Sequence, residues 1–391
     1  MNTIITVYKK EIKETFRDKR TLLTAIVMPA LIIPLLLFGV TKLTSSLMKK
    51  EADKKLKISL IGNTDSFKLA LQDTAFIFLP NLTLADGKIA IAKDSLDAII
   101  ECTPNFTASI DNLKTSNINL YYKSTNIMVA NRLSKKLETI EKTIINNRIK
   151  KLNIPQETLT PFKITEVDIA TPKEQIGKMV GGFLPYIFII FCFLGCMYPA
   201  IDLITGEKEK GTMETLLTSP ASRFKILIGK ILAIATIGLS AATMTIIGLV
   251  GGLKFMPNLP PDFLATINDM VSLKFMVMLF AMLIPLSLFF SGLLSALVIR
   301  AKTFKEAQSI VTPLNFLIIF PALLATIPGV VLNWQTAFVP ILNIALATKE
   351  IIAGTINMTQ YVVIVISLIV IALAAAALSY NQFNKEGMVL K

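Results

Sequence analysis

Apolar residues dominate six separate stretches of the chain, and charged residues collect between them. The stretches are Leu22–Val40, Met179–Ile201, Ile226–Leu253, Phe275–Ile299, Ser309–Ile327 and Gln360–Tyr380. A helix needs about 20 apolar residues to cross the hydrocarbon core of a bilayer, and none of the six contains a carboxylate. The pattern predicts an α-helical membrane protein with six transmembrane helices. Pro29 and Pro34 predict a kink in the first span and Pro285 one in the fourth, which neighbouring helices tolerate.

Shorter periodicities fill in the remainder. Ile4, Ile5, Tyr8, Ile12 and Phe16 recur about every four residues, with Lys and Arg on the other faces. That spacing predicts an amphipathic elbow helix lying on the membrane, in contact with lipid headgroups; a basic leader that only sets topology is the plainer reading. Between the first two spans, Leu56–Gly62 and Ile118–Tyr122 are strand-like, Phe162–Ile169 alternates apolar and polar residues, and Val129–Leu152 is helical through Leu133, Leu137, Ile140, Ile144 and Ile145. Residues 41–178 therefore form a mixed α/β domain, with Pro155, Pro161 and Pro172 punctuating the return. Pro328–Thr359 is too polar to span and too apolar for a free loop, so Phe338–Ile352 predicts a short interfacial or re-entrant helix. The division is 1–40 (elbow and first span), 41–178 (inserted domain) and 179–391 (five spans).

Composition supports this layout. The chain is 53% hydrophobic and 17% charged, against about 25% charged for soluble domains. Lys42–Lys178 holds 21 basic and 15 acidic residues, and the other 254 positions hold only 19 and 12. The net charge of +13 forms no stripe interleaved with aromatics, which excludes nucleic acid as a partner. With the N-terminus cytoplasmic, the inner segments carry 16 Lys and Arg and the short outer loops three. This predicts cytoplasmic termini and an extracytoplasmic 41–178 domain. Lys42, Lys49, Lys50, Lys54, Lys55 and Lys57 run against the rule, but long translocated domains largely escape it. No A-x-A-like cleavage site follows the first span, so it is expected to be retained.

The chain has no histidine, so neither a Cys/His zinc site nor a Ser-His-Asp triad can form. Cys192 and Cys196, one turn apart in an apolar run, read as packing residues. Cys102 has no evident partner, and no disulfide framework is implied. No catalytic residue, metal ligand or cofactor site is expected, and without G-x-x-x-x-G-K-[ST] the chain has no phosphate cradle.

The stretch between the second and third spans, Asp202–Lys230, is the most informative: DLITGEKEKGTMETLLTSPASRFKILIGK. Gly206 and Gly211 bracket Glu207, Lys208, Glu209 and Lys210. A short helix follows, with Met213, Leu216 and Leu217 on one face and Pro220 as its stop. An exposed apolar knob on a charged loop suits docking into a partner's groove; a loop that merely terminates two helices is the plain alternative. Arg223, Lys225 and Lys230 are expected to snorkel at the start of the third span.

The run G-E-K-E-K-G-T-x-E-x-L-L-x-S-P-x-x-R with a following Gly-Lys resembles the coupling segment of type-2 ABC exporter permeases. The order of elbow, span, large insert and five spans resembles the NatB-type sodium-efflux branch of that family. The resemblance covers the whole chain in layout and about 30 residues in motif. It places Glu207, Glu209, Gly211, Met213, Glu214, Leu216, Leu217, Ser219, Pro220 and Arg223, in a coupling helix at about 205–222, against a separate ABC ATPase subunit that carries ATP and Mg. It implies two permeases and two ATPases, a permease homodimer and sodium as cargo; a peptide, antibiotic or lipid is the other reading of the cargo. A non-transporting receptor is the competing class. Neutral oxygens that suit a hard cation are Thr236, Ser240 and Thr243 on one helix, Ser287, Ser291 and Ser295 on another, and Thr312 and Asn315 on a third; as a translocation path they compete with ordinary helix packing.

Overall fold

The computed structural model describes residues 3–62, 71, 75–79, 82–123, 126–155, 169–218, 220–256, 261–327 and 329–385. The chain divides into two compact units, residues 1–40 with 168–391, and 41–167. It opens with α1 (Thr3–Arg17), α2 (Lys19–Leu22), a π-helical turn at Leu23–Val27 and α3 (Met28–Asp53). The inserted domain holds β1 (Leu56–Ile61), β2 (Phe76–Leu79), α4 (Leu84–Ala92), β3 (Ala98–Cys102), α5 (Phe106–Asp111), β4 (Ile118–Tyr122) and α6 (Ile127–Lys151). Then come α7 (Pro172–Val180), α8 (Phe183–Ala200), a second π-helical turn at Ile201–Gly206, α9 (Glu207–Glu209) and α10 (Thr212–Leu217). The chain continues through α11 (Arg223–Lys254), α12 (Pro261–Met270), α13 (Leu273–Val298), α14 (Phe304–Leu324), α15 (Leu342–Ala353) and α16 (Met358–Phe383).

Six of these helices are long and apolar enough to cross a bilayer: α3, α8 with its continuation to Glu209, α11, α13, α14 and α16. Two apolar helices in lipid gain nothing by hiding from water, so close backbone approach must hold them together. Small residues supply it here. A Cβ on Gly238 of α11 would sit 2.1 Å from Cys196 Sγ, and one on Gly195 of α8 would sit 2.5 Å from Ala241 Cβ. Gly292 brings α13 against Ala375 and Ala376 of α16 in the same way. Cys192 and Cys196 are fully buried in this seam, as packing residues would be.

The first span departs from the expected kinked segment ending at Val40. Its π-helical turn precedes Pro29, whose missing N–H disrupts the α-helical ladder there. The helix then runs without interruption to Asp53. Gly248 and Gly252 of α11 accept Ala30 and Pro34 of α3 along one edge, and the other faces of α3 expose Leu31, Leu35, Phe38 and Leu43.

The expected re-entrant element is α15. It is buried almost end to end, and Asn343 Nδ2 donates to Ala337 O at 3.0 Å across the turn that leads into it. The buried Lys349 donates to Ala325 O at 3.2 Å, at the C-terminal end of α14, where the helix dipole favours a cation. Helix α7 lies against α15 because Gly177 leaves room for Ala353 and Gly181 for Lys349. That contact corrects the expected domain boundary of 178, since α7 belongs to the membrane unit and the inserted domain ends at 167.

The inserted domain is a four-stranded sheet in the order β2-β1-β3-β4, parallel except for β4. Ile58, Leu60 and Ile100 pack with Phe106 of α5 and Val129, Leu133 and Ile140 of α6. Ile99 packs with Ile91 of α4 on the other face. Both expected strands and the long helix are present. β3 carries no alternation because it is covered on both faces, and β2 is a four-residue all-apolar edge strand, too short to show one. The expected strand Phe162–Ile169 lies, except for Ile169, outside the described residues.

All three cysteines are buried and free, and burial pushes the Cys102 thiol up to about 11. A thiolate is the reactive form, so the native protein in detergent is expected to resist a maleimide at neutral pH and to take up label after denaturation. Stoichiometric labelling of the folded chain would contradict this packing.

Candidate functional site

The Glu207–Lys210 tetrapeptide is not a free loop. The second span continues through its π-helical turn into α9, so three of the four charges ride on the end of a membrane helix, and each charge grips a different element. Glu209 Oε2 accepts from Phe304 N at 2.9 Å, meeting one of the free N–H groups at the start of α14. Lys208 Nζ donates to Ile299 O at 2.8 Å, placing a cation at the C-terminal end of α13. Thr205 Oγ1 donates to Val298 O at 2.9 Å beside it. Lys210 turns back to Asp202, 3.7 Å away. Gly211, at φ +69, then reverses the chain into α10.

Glu207 makes the strongest connection. Lys230, on the second turn of α11, is 0% exposed. Its Nζ lies 2.8 Å from Glu207 Oε2 and 2.9 Å from Glu11 Oε1 of α1, and it donates to Leu203 O at 2.7 Å. The Glu11 side chain is 1% exposed. Lys10 closes the group from its rim, 3.2 Å from Glu207 Oε1 and 3.5 Å from Glu11 Oε1. A lone buried ammonium would shed its proton, and a lone buried carboxylate would acquire one; together they compensate, provided the geometry is tight. Gly229 supplies that tightness, because a Cβ there would meet Val7 Cβ at 2.8 Å and Ile4 O at 3.0 Å. The Gly-Lys pair therefore lets α1 approach and then holds it.

Burial works to lower the Lys10 pKa, but the carboxylates of Glu11, Glu207 and Glu14 outweigh it and hold the ammonium above its ordinary value. Its contribution is therefore complete below the ordinary lysine pKa and is lost only as pH rises through the raised value, so the rim stays charged across the neutral range.

The expected apolar knob is rearranged. Met213 is 1% exposed and joins the core of the membrane unit, so it anchors α10 to its own chain instead of offering a tip. Glu214, Leu216 and Leu217 lie in or beside α10, but their side chains fall outside the described residues, as does Ser219 altogether. Thr212, Thr215, Thr218 and Pro220 form the exposed side. Arg223 donates to Asn384 O at 3.4 Å, and Phe224 stands edge-on to Tyr380, tying the start of α11 to the end of α16. Lys230, expected to snorkel, is instead the most deeply buried charge of the site.

The elbow stripe also divides. Val7, Glu11 and Thr15 are buried, and Tyr8 and Ile12 pack on the core, whereas Ile5 and Phe16 stay exposed. Tyr8 Oη and Thr236 Oγ1 lie 3.3 Å apart. The hydroxyls considered for a path stay in three places. Thr236, Ser240 and Thr243 donate to carbonyls of their own helix α11. Ser287, Ser291 and Ser295 are buried in α13, where the first two also donate within the helix. Thr312 and Asn315 lie on the outward side of α14. Among the described residues no hydrogen bond joins one set to another.

A family model described as ABC-2 family transporter protein matches residues 5–388, a range that includes the charge-bridged junction of α1, α9 and α11. The chain belongs to the ABC-2 transporter family. It is a multi-pass permease, the membrane subunit of a transporter. It is 25% identical over 359 residues, 90% of each chain, to the ABC transporter permease protein NatB of Bacillus subtilis (strain 168). It is 24% identical over 339 residues to an uncharacterised protein of Methanocaldococcus jannaschii, covering 81% of this chain and 75% of that one. No solved structure matches. ABC-2 permeases work with an ABC ATPase subunit.

Sequence reasoning missed Glu11 and Lys230 as a pair. The available signal was that Glu11 shares a helical face with Val7 and Thr15, and that Lys230 lies well inside a predicted span. Lys230→Met leaves two buried carboxylates facing each other and is expected to cost about 3–5 kcal/mol. Lys10→Ala, at a side chain 45% exposed, is expected to cost less than about 1 kcal/mol. Chemical denaturation in micelles checks both; equal costs would contradict the buried geometry.

Proposed function

We propose that this ABC-2 permease is half of an ATP-driven sodium exporter, with a separate ATPase docking on residues 206–223 in the cytosol. The observation that carries the docking reading is the wiring of that segment. One short stretch holds the C-terminal end of α13, the start of α14, the middle of α1 and the first turns of α11, so a push on α10 reaches four helices at once. The exposed Thr212, Thr215, Thr218 and Pro220 form the face offered to the ATPase, which binds ATP and Mg. Glu207 and Glu209 act inward, as wiring, and Met213 as the root of the lever. Both termini are cytoplasmic and the inserted domain is extracytoplasmic in this reading.

Sodium follows from the branch of the family that the sequence resembles. The chemistry of the spans is compatible with it. Thr236, Ser240, Ser287 and Ser291 spend their donors on helix carbonyls, which leaves oxygen lone pairs free for a hard cation. Gln308, Thr312 and Asn315 set a polar line on the outward side of α14. Lipid offers such groups no partner, so a water-lined path beside a second copy of the chain suits them.

Thr215→Trp adds bulk at an exposed position and is expected to leave the folded yield unchanged while abolishing co-purification with the ATPase. Undiminished co-purification would count against docking there. For the cargo, ATP hydrolysis by the complex in inverted vesicles is expected to rise with sodium and not with potassium; indifference to sodium would remove it as the substrate.

A further inference from the structure

We propose that α1 is an obligate part of the power stroke: the Glu11–Lys230–Glu207 triad makes α1 and residues 207–217 move as one body, so the first span is driven from the same point as the second and third. This rests on the docking reading above and adds the route by which force leaves the docking segment. Glu11 is the positioning residue; it touches neither nucleotide nor cargo.

Three observations support the rigid connection. Lys230 Nζ contacts a carboxylate from each of the two elements and a carbonyl of the π-helical turn between them. Separating either carboxylate from that ammonium would break a pair whose Lys230 and Glu11 side chains are 0% and 1% exposed. Glu11 Oε2 has no hydrogen-bond partner among the described residues, so the carboxylate is held through Oε1, by Lys230 and by Lys10 of its own helix. The backbones are also in contact, since Gly229 brings α11 against Ile4 and Val7 without room for a single methyl group.

What lies beyond α1 favours transmission over simple anchoring. α1 leads through α2 and the π-helical turn at Leu23–Val27 into α3. The docking segment is likewise joined to α8 through the π-helical turn at Ile201–Gly206. π-turns inside helices are frequent at functional sites. The triad thus sits between two widened turns, each at the root of a membrane span. The first span is lightly held within the membrane unit, chiefly along the Gly248 and Gly252 edge of α11 with Ile33 in the core, so a drive through α1 suits it.

The test uses the full permease–ATPase complex and Glu11→Gln, which keeps the side-chain shape and leaves Lys230 paired with Glu207. Hydrogen–deuterium exchange with and without a non-hydrolysable ATP analogue is expected to show α1 and residues 206–217 responding together in the wild type, and only 206–217 responding in Glu11→Gln. ATP hydrolysis and co-purification are expected to persist in the variant, while sodium export from vesicles per ATP consumed falls by about tenfold or more, within the usual range of coupling between sites. Glu11→Gln exporting as efficiently as the wild type would overturn the proposal and leave the docking reading standing. A wild-type α1 that ignores nucleotide while 206–217 responds would also overturn it, whatever the variant's folding. Failure of the wild-type chain to co-purify with any ATPase would instead strike the docking reading itself.

Discussion

One ammonium group with no exposed surface, held between two carboxylates from distant parts of the sequence, decides how this permease is assembled at one end. Lys230 meets both carboxylates directly, and removing any one of the three would leave a buried charge poorly compensated. The requirement is therefore mutual, and it fixes where α1, α9 and α11 meet. Gly229 makes the meeting possible, and Leu203 O takes a further proton of the ammonium. Around this centre, Lys208 and Glu209 apply the same electrostatics to helix ends, a cation at one C-terminus and a carboxylate at one N-terminus.

The rest of the membrane unit uses a different force. Between α8, α11, α13 and α16, close packing of Gly, Ala, Cys and Ser replaces charge. Such seams fix distance and leave little to resist a coordinated tilt. Charge at one end and small-residue seams along the spans give a bundle that is gripped at its base and able to rock above it. The two π-helical turns at the base lie where rocking would concentrate.

The layout was largely legible in the sequence because each span declares itself over about 20 residues. α15, β1, β4 and α6 were legible through periodicity. β2 and β3 were not, since β3 is buried on both faces and shows no alternation, and β2 is only four residues long. The run from Gly206 to Arg223 stood out as a motif, and its geometry was misread. Its charges looked like a solvated loop, whereas Glu207, Lys208 and Glu209 turn inward to three different elements. Met213 looked like part of a tip and is a root. Lys230 looked like a snorkelling residue because its partner, Glu11, lies 219 residues away, a separation that no local pattern records.

The proposed drive through residues 206–223 rests on the wiring of that segment in a member of the ABC-2 family. The most direct measurement is site-specific photo-cross-linking in the intact complex, with a photoreactive residue at Thr215 or Thr218 and a control at the exposed Val331 beyond the other end of α14. The account predicts cross-links to the ATPase subunit from Thr215 and Thr218 and none from Val331. Capture of the ATPase at Val331, with none at the α10 positions, would contradict it.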